Sequence, residues 1–468
     1  MITLKNTVLW VVTLIALNTV MVRGQDQSAP PNIILIVADD MGYGDLSCYG
    51  QQAWSTPRID ELASQGARFT DFYVPTPYCA PSRATLLTGK YPFNHGLMDN
   101  PAPDATAYLD TIGLSLNETL VSQLLKEKGY ATTCIGKWHL GHQTQFLPTQ
   151  RGFDSYYGIP YSNDMRPVHV LQDEEVVEYP VVQSTLTKRY TEKALDFIEQ
   201  QKDQPFFLYL PHAMPHKPLA PSTKFYTPNT KEDLYADVTR ELDASVGMIM
   251  DKVKALDLED NTVVIFMSDN GPWFGGSTVG LRGMKALTWE GGLRVPFMIR
   301  WPGKIPSGQV IKEPMASIDI VPTLLKVAGV NVPGQAKWDG HDMMPVLTQS
   351  TKTPHEAIYG MFHHEVYVVR SGPWKLHLKT QTHTPDYMDE NWVDPRGPDG
   401  VTILGPCAQP LSDQFPGLLT GDSPQSNMLF NLETDPGEQR NVADEHPKVV
   451  RKLTKMYNEI MSRVDAKQ

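Results

Sequence analysis

Asn32-Ile33-Ile34-Leu35-Ile36-Val37-Ala38-Asp39-Asp40 decides the fold. Its apolar residues run without alternation, as a strand covered on both faces requires, and two carboxylates end the run. Three later segments repeat the pattern. Tyr130 to Ile135 leads into Gly136-Lys137-Trp138-His139-Leu140-Gly141, Pro205 to Leu210 into Pro211-His212-Ala213-Met214-Pro215-His216, and Thr262 to Met267 into Asp269-Asn270-Gly271. Helix signals lie between them. Pro57 to Ser64 precedes the stop at Gly66, and Ser115-x-x-Glu118 is a capping box opening a helix with Leu120, Leu124 and Leu125 inward and a stop at Gly129. Leu234, Val238, Leu242, Val246, Ile249, Val253 and Leu256 keep the three- and four-residue spacing of a long amphipathic helix. Such alternation implies an α/β domain whose mixed, mostly parallel sheet is flanked by helices. Ligands bind beyond the carboxyl ends of parallel strands, so the four polar clusters are expected to meet at one sheet edge.

The pattern changes near residue 350. Glu365 to Val369 and Trp374 to Leu378 flank the turn Arg370-Ser371-Gly372-Pro373, a hairpin signal. Thr380 to Ser426 reads as a long surface loop, Met428 to Leu432 as a short strand, and the end as an amphipathic helix with Val449, Val450, Leu453, Met456, Tyr457 and Ile460 inward. The chain therefore divides into a catalytic domain over 25–350 and a smaller α+β domain with an antiparallel sheet over 351–468. Residues 1–24 read as an export signal: Lys5, a mostly apolar run from Val8 to Val22, and a cleavage region at Val22-Arg23-Gly24. The mature protein is expected in a periplasmic, secreted or lysosome-like compartment, without stable membrane insertion.

Of 468 residues, 41% are hydrophobic and 20% charged, an ordinary globular composition with ample core. A net charge of -12 and the lack of any binding motif exclude nucleic acid as a partner. An anionic substrate would need a local basic cluster. Cys48, Cys79, Cys134 and Cys407 are too few for a disulfide scaffold, though one bridge among Cys48, Cys134 and Cys407 stays open in an oxidising compartment. Asn117-Glu118-Thr119 is a glycosylation acceptor where the host glycosylates.

Tyr78-Cys79-Ala80-Pro81-Ser82-Arg83-Ala84-Thr85-Leu86-Leu87-Thr88-Gly89 places a cysteine at the front edge of a helix. Pro81 suits the first turn and Gly89 a left-handed cap. A side chain at that end sees the positive end of the dipole, a setting for an anion or a charged nucleophile. Asp39, Asp40, Asp269 and Asn270 are hard oxygen donors. Adjacent carboxylates ending a buried strand repel unless a cation joins them, which points to Ca²⁺ or Mg²⁺, and the lack of soft ligands argues against zinc. Arg83 lies one helical turn after Cys79, and Lys137 and His139 face the same way if their segment stays extended. With His216 and Lys285 they would form a cationic cradle.

The Cys-x-Pro-Ser-Arg string at Cys79, followed by Leu86-Leu87-Thr88-Gly89, resembles the activation sequence of the type I, formylglycine-dependent sulfatases. Asp39 to Leu46, Gly129 to Gly141, Ser268-Asp269-Asn270-Gly271 and Glu290-Gly291-Gly292 resemble further blocks of that family. Phe146-Leu147-Pro148, Gly158-Ile159-Pro160-Tyr161-Ser162 and Asp435-Pro436-Gly437-Glu438 are most similar to its lysosomal-type arylsulfatase and N-acetylgalactosamine-6-sulfatase members. The resemblance implies an alkaline-phosphatase-like fold, one Ca²⁺ ion on Asp39, Asp40, Cys79, Asp269 and Asn270, and conversion of Cys79 to formylglycine by a maturation enzyme. It also implies roles. The hydrated aldehyde attacks sulfur with Asp269 as base, and Arg83 and Lys137 hold the diol. Lys285 and His216 bind sulfate and help protonate the leaving oxygen. His139 takes the second hydroxyl proton as the covalent sulfate is eliminated, and Ser162 lines the site. The implied substrate is a sulfated small molecule or saccharide, with aryl sulfates as models. Asn94, His95, the Asp99–Asp110 segment, His363, His364 and the loop from Thr380 are candidates for its recognition. Two other readings stay open: a phosphate or phosphonate monoester hydrolase of the same superfamily, and an inactive binder of sulfated glycans.

Overall fold

The computed structural model describes residues 30–227, 233–273, 275–331, 338–380 and 421–465. In chain order its strands are β1 (Asn32–Ala38), β2 (Ala67–Phe69), β3 (Phe72–Tyr73), β4 (Ala131–Lys137), β5 (Ser155–Ile159), β6 (Val170–Gln172), β7 (Glu175–Glu178), β8 (Phe206–Pro211), β9 (Thr262–Ser268), β10 (Phe297–Arg300), β11 (Gln309–Ile311), β12 (Met315–Ala316), β13 (Ile358–Phe362), β14 (Glu365–Ser371), β15 (Trp374–His377) and β16 (Met428–Asn431). Ten of them form one sheet, ordered β11-β2-β10-β9-β1-β8-β4-β5-β6-β7. The central five, β9 to β5, are parallel, while β10, β6 and β7 add antiparallel edges.

Every residue of β1 is buried, which explains its unbroken apolar run. Ile33, Leu35 and Val37 face one layer with Phe207, Ile265 and Met267, under Ala80, Ala84 and Leu87 of the Cys79–Thr88 helix. Ile34 and Ile36 face the other, against Leu242, Val246, Ile249 and Val253 of the Asp233–Ala255 helix. Each such aliphatic side chain taken from water stabilises the fold by roughly 1.5–3 kcal/mol. Register then fixes the edge. Ala38 pairs Ser268 and Val37 pairs Pro211, so Asp39, His212 and Asp269 leave their strands at one level.

The C-terminal sheet runs β13-β14-β15-β16, antiparallel throughout, with Leu453 and Ile460 of the Pro447–Asp465 helix packed on it. A charged seam joins it to the first sheet. Lys375 Nζ lies 2.9 Å from Glu290 Oε1 and 3.1 Å from Glu438 Oε1, with all three side chains at most 1% exposed. His377 Nε2 is 2.6 Å from Glu438 Oε1, and Glu438 Oε2 accepts the Glu290 N–H at 2.6 Å.

The capping box at Ser115 does not open a helix. The helix is Val121–Glu127, and Gln123 reaches back to the Leu120 N–H at 2.9 Å. Glu118 is taken by Lys90 at 2.7 Å, while Arg151 holds the Ser115 and Glu118 carbonyls, so Ser115–Glu118 closes a turn instead. Leu120 and Leu125 are buried, but Leu124 is only half-buried. Cys48, Cys79 and Cys134 are free thiols. Cys407, the export signal at 1–24 and most of the Thr380–Ser426 stretch lie outside the described residues. Among the described residues no helix is long and apolar enough to cross a membrane.

Candidate active site

Four strand ends and one helix start converge. Asp39 and Asp40 follow β1, Lys137 ends β4, His216 lies beyond β8, Asp269 and Asn270 follow β9, and Cys79 begins its helix. The local sequence makes each turn possible. Gly89 ends the Cys79–Thr88 helix with φ 68°, a conformation that suits glycine. Gly271 packs flat on the Glu290–Leu293 turn, where an added Cβ would sit 1.9 Å from the Gly291 carbonyl oxygen. Asp40 and His139 both take left-handed backbone, φ 63° each. The expected extended run from Lys137 to His139 therefore breaks at His139. Non-glycine residues hold such backbone only where the surroundings impose it, most often at functional sites.

The carboxylates divide their oxygens between two neighbours. Asp39 Oδ2 accepts from Lys137 Nζ at 2.6 Å, and Asp40 Oδ2 from Lys285 Nζ at 2.7 Å. Their Oδ1 atoms face the Cys79 sulfur, at 3.6 and 3.8 Å. Asp269 Oδ2 accepts from Arg83 Nε at 2.9 Å and is ion-paired with Nη2 at 2.8 Å, and its Oδ1 accepts the Asp40 N–H at 3.1 Å. Asn270 Nδ2 donates to Asp40 Oδ1 at 2.7 Å, which leaves Asn270 Oδ1 buried without a partner. An orphaned amide oxygen beside three carboxylates is a donor set for a hard cation. Two groups, Asp39-Cys79-Asp269 and Asp40-Cys79-His216, each hold their ligand atoms within 4.8 Å of one another.

Electrostatics follow from burial and pairing. Burial opposes ionisation of Asp39, but Lys137, His216, Arg83 and Lys285 outweigh it and hold its carboxyl well below the usual range. Burial pushes Asp269 up to about 6, with Asp39 and Asp40 adding repulsion that Arg83 only partly offsets. Burial also raises the Cys79 thiol, so the unmodified residue stays protonated and is a poor nucleophile. Burial opposes the charge on Lys285, but Asp40, Cys79 and Asp39 together outweigh it and hold the amine well above its usual value.

The histidines differ in their anchoring. His216 Nδ1 donates to Asn163 Oδ1 at 2.9 Å and to the Lys217 carbonyl at 2.6 Å, which leaves Nε2, 3.6 Å from Asp40 Oδ2, to exchange a proton. His139 is buried with neither ring nitrogen hydrogen-bonded, and burial holds it well below its usual value, with Lys137 and Arg83 adding to the effect. Ser162 Oγ lies 3.2 Å from Lys137 Nζ and 3.5 Å from the His216 ring. Asn163, which fixes the His216 tautomer, was not among the sequence candidates, although it directly follows Ser162.

His95 is not brought to this cluster. It is 2% exposed, and its ring partners are Thr85 Oγ1 at 3.2 Å and the Leu97 N–H at 3.2 Å, so it secures the turn after the Cys79–Thr88 helix. Asn94 is likewise engaged elsewhere, with Asp339 at 2.7 Å. Asp99, His363 and His364 do come together beside Tyr78.

Comparison with known proteins gives a consistent result. Residues 31–330 match the family model described as Sulfatase, and residues 284–382 match one described as N-sulphoglucosamine sulphohydrolase, C-terminal. The chain is 36% identical to human (Homo sapiens) arylsulfatase A over 468 aligned positions, covering 91% of this chain and 87% of that protein. It is 36% identical to N-acetylgalactosamine-6-sulfatase of Sus scrofa, covering 88% and 81%. Among solved structures, the PsFucS1 sulfatase from Pseudoalteromonas sp. superposes with a TM-score of 0.77 at 27% identity, covering 93% and 91%.

Proposed function

The chain belongs to the sulfatase family and is an enzyme of sulfate-ester hydrolysis; we propose that it acts on a sulfated saccharide, with residue 79 as formylglycine and one Ca²⁺ ion in its site. The observation that carries this reading is the position of the Cys79 sulfur. It faces one oxygen each of Asp39 and Asp40, inside a ring of Arg83, Lys137 and Lys285. Asp39, Asp40, Asp269 and Asn270 would hold the cation, which would supply fixed positive charge against a sulfate oxygen. As formylglycine, residue 79 would supply in its hydrate the oxygen nucleophile that the buried thiol cannot.

This chain's own groups do the rest. Lys137 and Lys285 orient Asp39 and Asp40 and stand as electrostatic clamps for charge growing on the non-bridging oxygens. Asp269, raised to about 6, is placed to accept a proton at the attacking hydroxyl. His216 is held through its Nδ1 proton by Asn163 and the Lys217 carbonyl with Nε2 inward; burial lowers its pKa, so Nε2 must first take a proton and in that imidazolium form gives it toward the leaving oxygen. Neutral His139, with both nitrogens open, accepts one from residue 79. Similarity to N-acetylgalactosamine-6-sulfatase supports a sulfated sugar as substrate. The proposal includes a formylglycine-generating partner and an exported location.

The test is activity on defined material. Protein co-produced with a maturation enzyme, and shown by peptide mass to carry the aldehyde at residue 79, is assayed on aryl sulfate and aryl phosphate in parallel. Sulfate turnover well above phosphate turnover is expected. Aldehyde-bearing protein that spares sulfate and cleaves phosphate would assign the site to phosphate esters.

A further inference from the structure

Three segments meet in front of the residue 79 helix without joining the cluster. Pro75 to Tyr78 runs between two neighbours. The Met361 N–H, at the end of β13, donates to the Pro75 carbonyl at 2.7 Å, and the Ala286 N–H, next to Lys285, donates to the Pro77 carbonyl at 3.0 Å. The β13–β14 turn is thereby fixed beside the nucleophile. Its tip carries Phe362, His363 and His364. The Tyr78 ring centroid lies 5.6 Å from Phe362 and 5.1 Å from His363, and those two are 4.5 Å apart. Asp99 closes the rim, with Oδ1 3.3 Å from His363 Nδ1 and Oδ2 3.6 Å from His364 Nε2. Its neighbour Asn100 accepts the Ala80 N–H at 3.0 Å, tying the rim to the first turn of the helix. His363 and His364 are 48% and 61% exposed, so these rings are open to a ligand.

We propose that Tyr78, Phe362 and His363, with His364 and Asp99 at the rim, form the subsite for the alcohol half of the ester, and that it takes an uncharged pyranose ring bearing a single sulfate. The proposal rests on sulfate-ester hydrolysis at residue 79. An aromatic floor with a few polar groups at its edge suits a sugar, whose ring C–H groups make one apolar face and whose hydroxyls make a polar edge. Charge narrows the class. Asp99 stands against both imidazoles, and among the described residues named for this patch none is Lys or Arg. Lys137 and Lys285 are engaged by Asp39 and Asp40 inside the cluster. A second sulfate or a carboxylate on the sugar would meet Asp99 with no Lys or Arg among the described patch residues to offset it.

The experiment compares His364→Ala and Asp99→Asn with wild type, all with the aldehyde verified. The substrates are p-nitrophenyl sulfate, a panel of monosulfated hexoses and N-acetylhexosamines, and disulfated forms of the same sugars. Wild type should favour the best monosulfated sugar over its disulfated form by about tenfold or more in kcat/KM. His364→Ala should raise KM for that sugar by about fivefold and change KM for aryl sulfate by clearly less, since an aryl ring has no hydroxyl for the imidazole. Asp99→Asn should shift the preference toward disulfated sugars. Equal losses on sugar and aryl sulfate, no change on either, or a wild-type preference for disulfated sugars would overturn the subsite. Turnover of aryl sulfate with no turnover of any monosulfated sugar would overturn it alone. Absence of aryl sulfate turnover by the wild type would overturn the catalytic reading as well.

Discussion

Among the described residues, the charge cluster at the seam between the sheets and the one at the strand ends are finished differently. At the seam between the sheets, every carboxylate oxygen has a protein partner. Glu290 meets Lys375 and Tyr73, Glu438 meets His377 and the Glu290 N–H, and Asp71 meets Arg370 and Thr70. At the ends of β1 and β9, the carboxylate oxygens are shared with a thiol: Asp39 Oδ1 lies 3.6 Å from the Cys79 sulfur and 3.4 Å from Arg83 Nη2, Asp40 Oδ1 lies 3.8 Å from that sulfur and accepts from Asn270 Nδ2, while Asn270 Oδ1 has no partner and His139 has two open nitrogens. Both are largely buried. A closed network of charges specifies how two parts dock, and an open one keeps places for something else. The lesson is that burial of charge alone does not mark a candidate site; the seam leaves His377 Nδ1 unmet but no acceptor oxygen, whereas the strand-end cluster leaves the Asn270 amide oxygen unmet beside three carboxylates.

Substitutions can break this contrast. Cys79→Ala should have the largest effect, lowering kcat by about 10⁴-fold or more while the thermal midpoint holds, because it removes the nucleophile and no buried charge. A parallel loss of folded protein would place Cys79 with the seam rather than the open cluster. Lys375→Met should do the reverse. It strands Glu290 and Glu438, each 0% exposed, and should cost about 3–5 kcal/mol in denaturant unfolding, with kcat per folded molecule little changed. Asn270→Ala should raise the calcium needed for half-maximal activity by about 10–100-fold, the range typical of lost metal-site groups. Unchanged calcium response would remove Asn270 from the cation site.

The smallest effect is one of pH. Burial holds His377 down to about 4 and His95 down to about 3, below the 6.5 of a free histidine. The unfolded chain therefore binds these protons first, and their contribution to stability is full above pH 6.5 and falls with pH toward 4. A thermal midpoint that drops by several degrees between pH 6.5 and 4.5, and drops less in His377→Gln, is the expected record. A flat midpoint over that window would contradict it.

The open cluster was largely legible in the sequence, and the seam was not. Strand ends and helix caps are local signals. The apolar run to Asp39, the run to Asp269 and the Cys79-to-Gly89 helix all lie where their own residues put them. The seam depends on pairing between residues far apart in the chain, such as Lys375 with Glu290, and nothing near either residue announces its partner. The same limit misplaced His95, whose neighbour Thr85 takes its ring, and the helix at Ser115, where Lys90 claims Glu118. Asn163 went unread because its importance comes from His216, which reaches it from the end of a different strand.

Calcium binding to aldehyde-bearing protein, followed by titration calorimetry after chelation and paired with aryl sulfate turnover on the same samples, tests the central claim most directly. The account predicts one ion per chain, with activity restored in step with its binding and both lost in Asp40→Asn. Full sulfate turnover by protein shown by elemental analysis to be free of metal would contradict it.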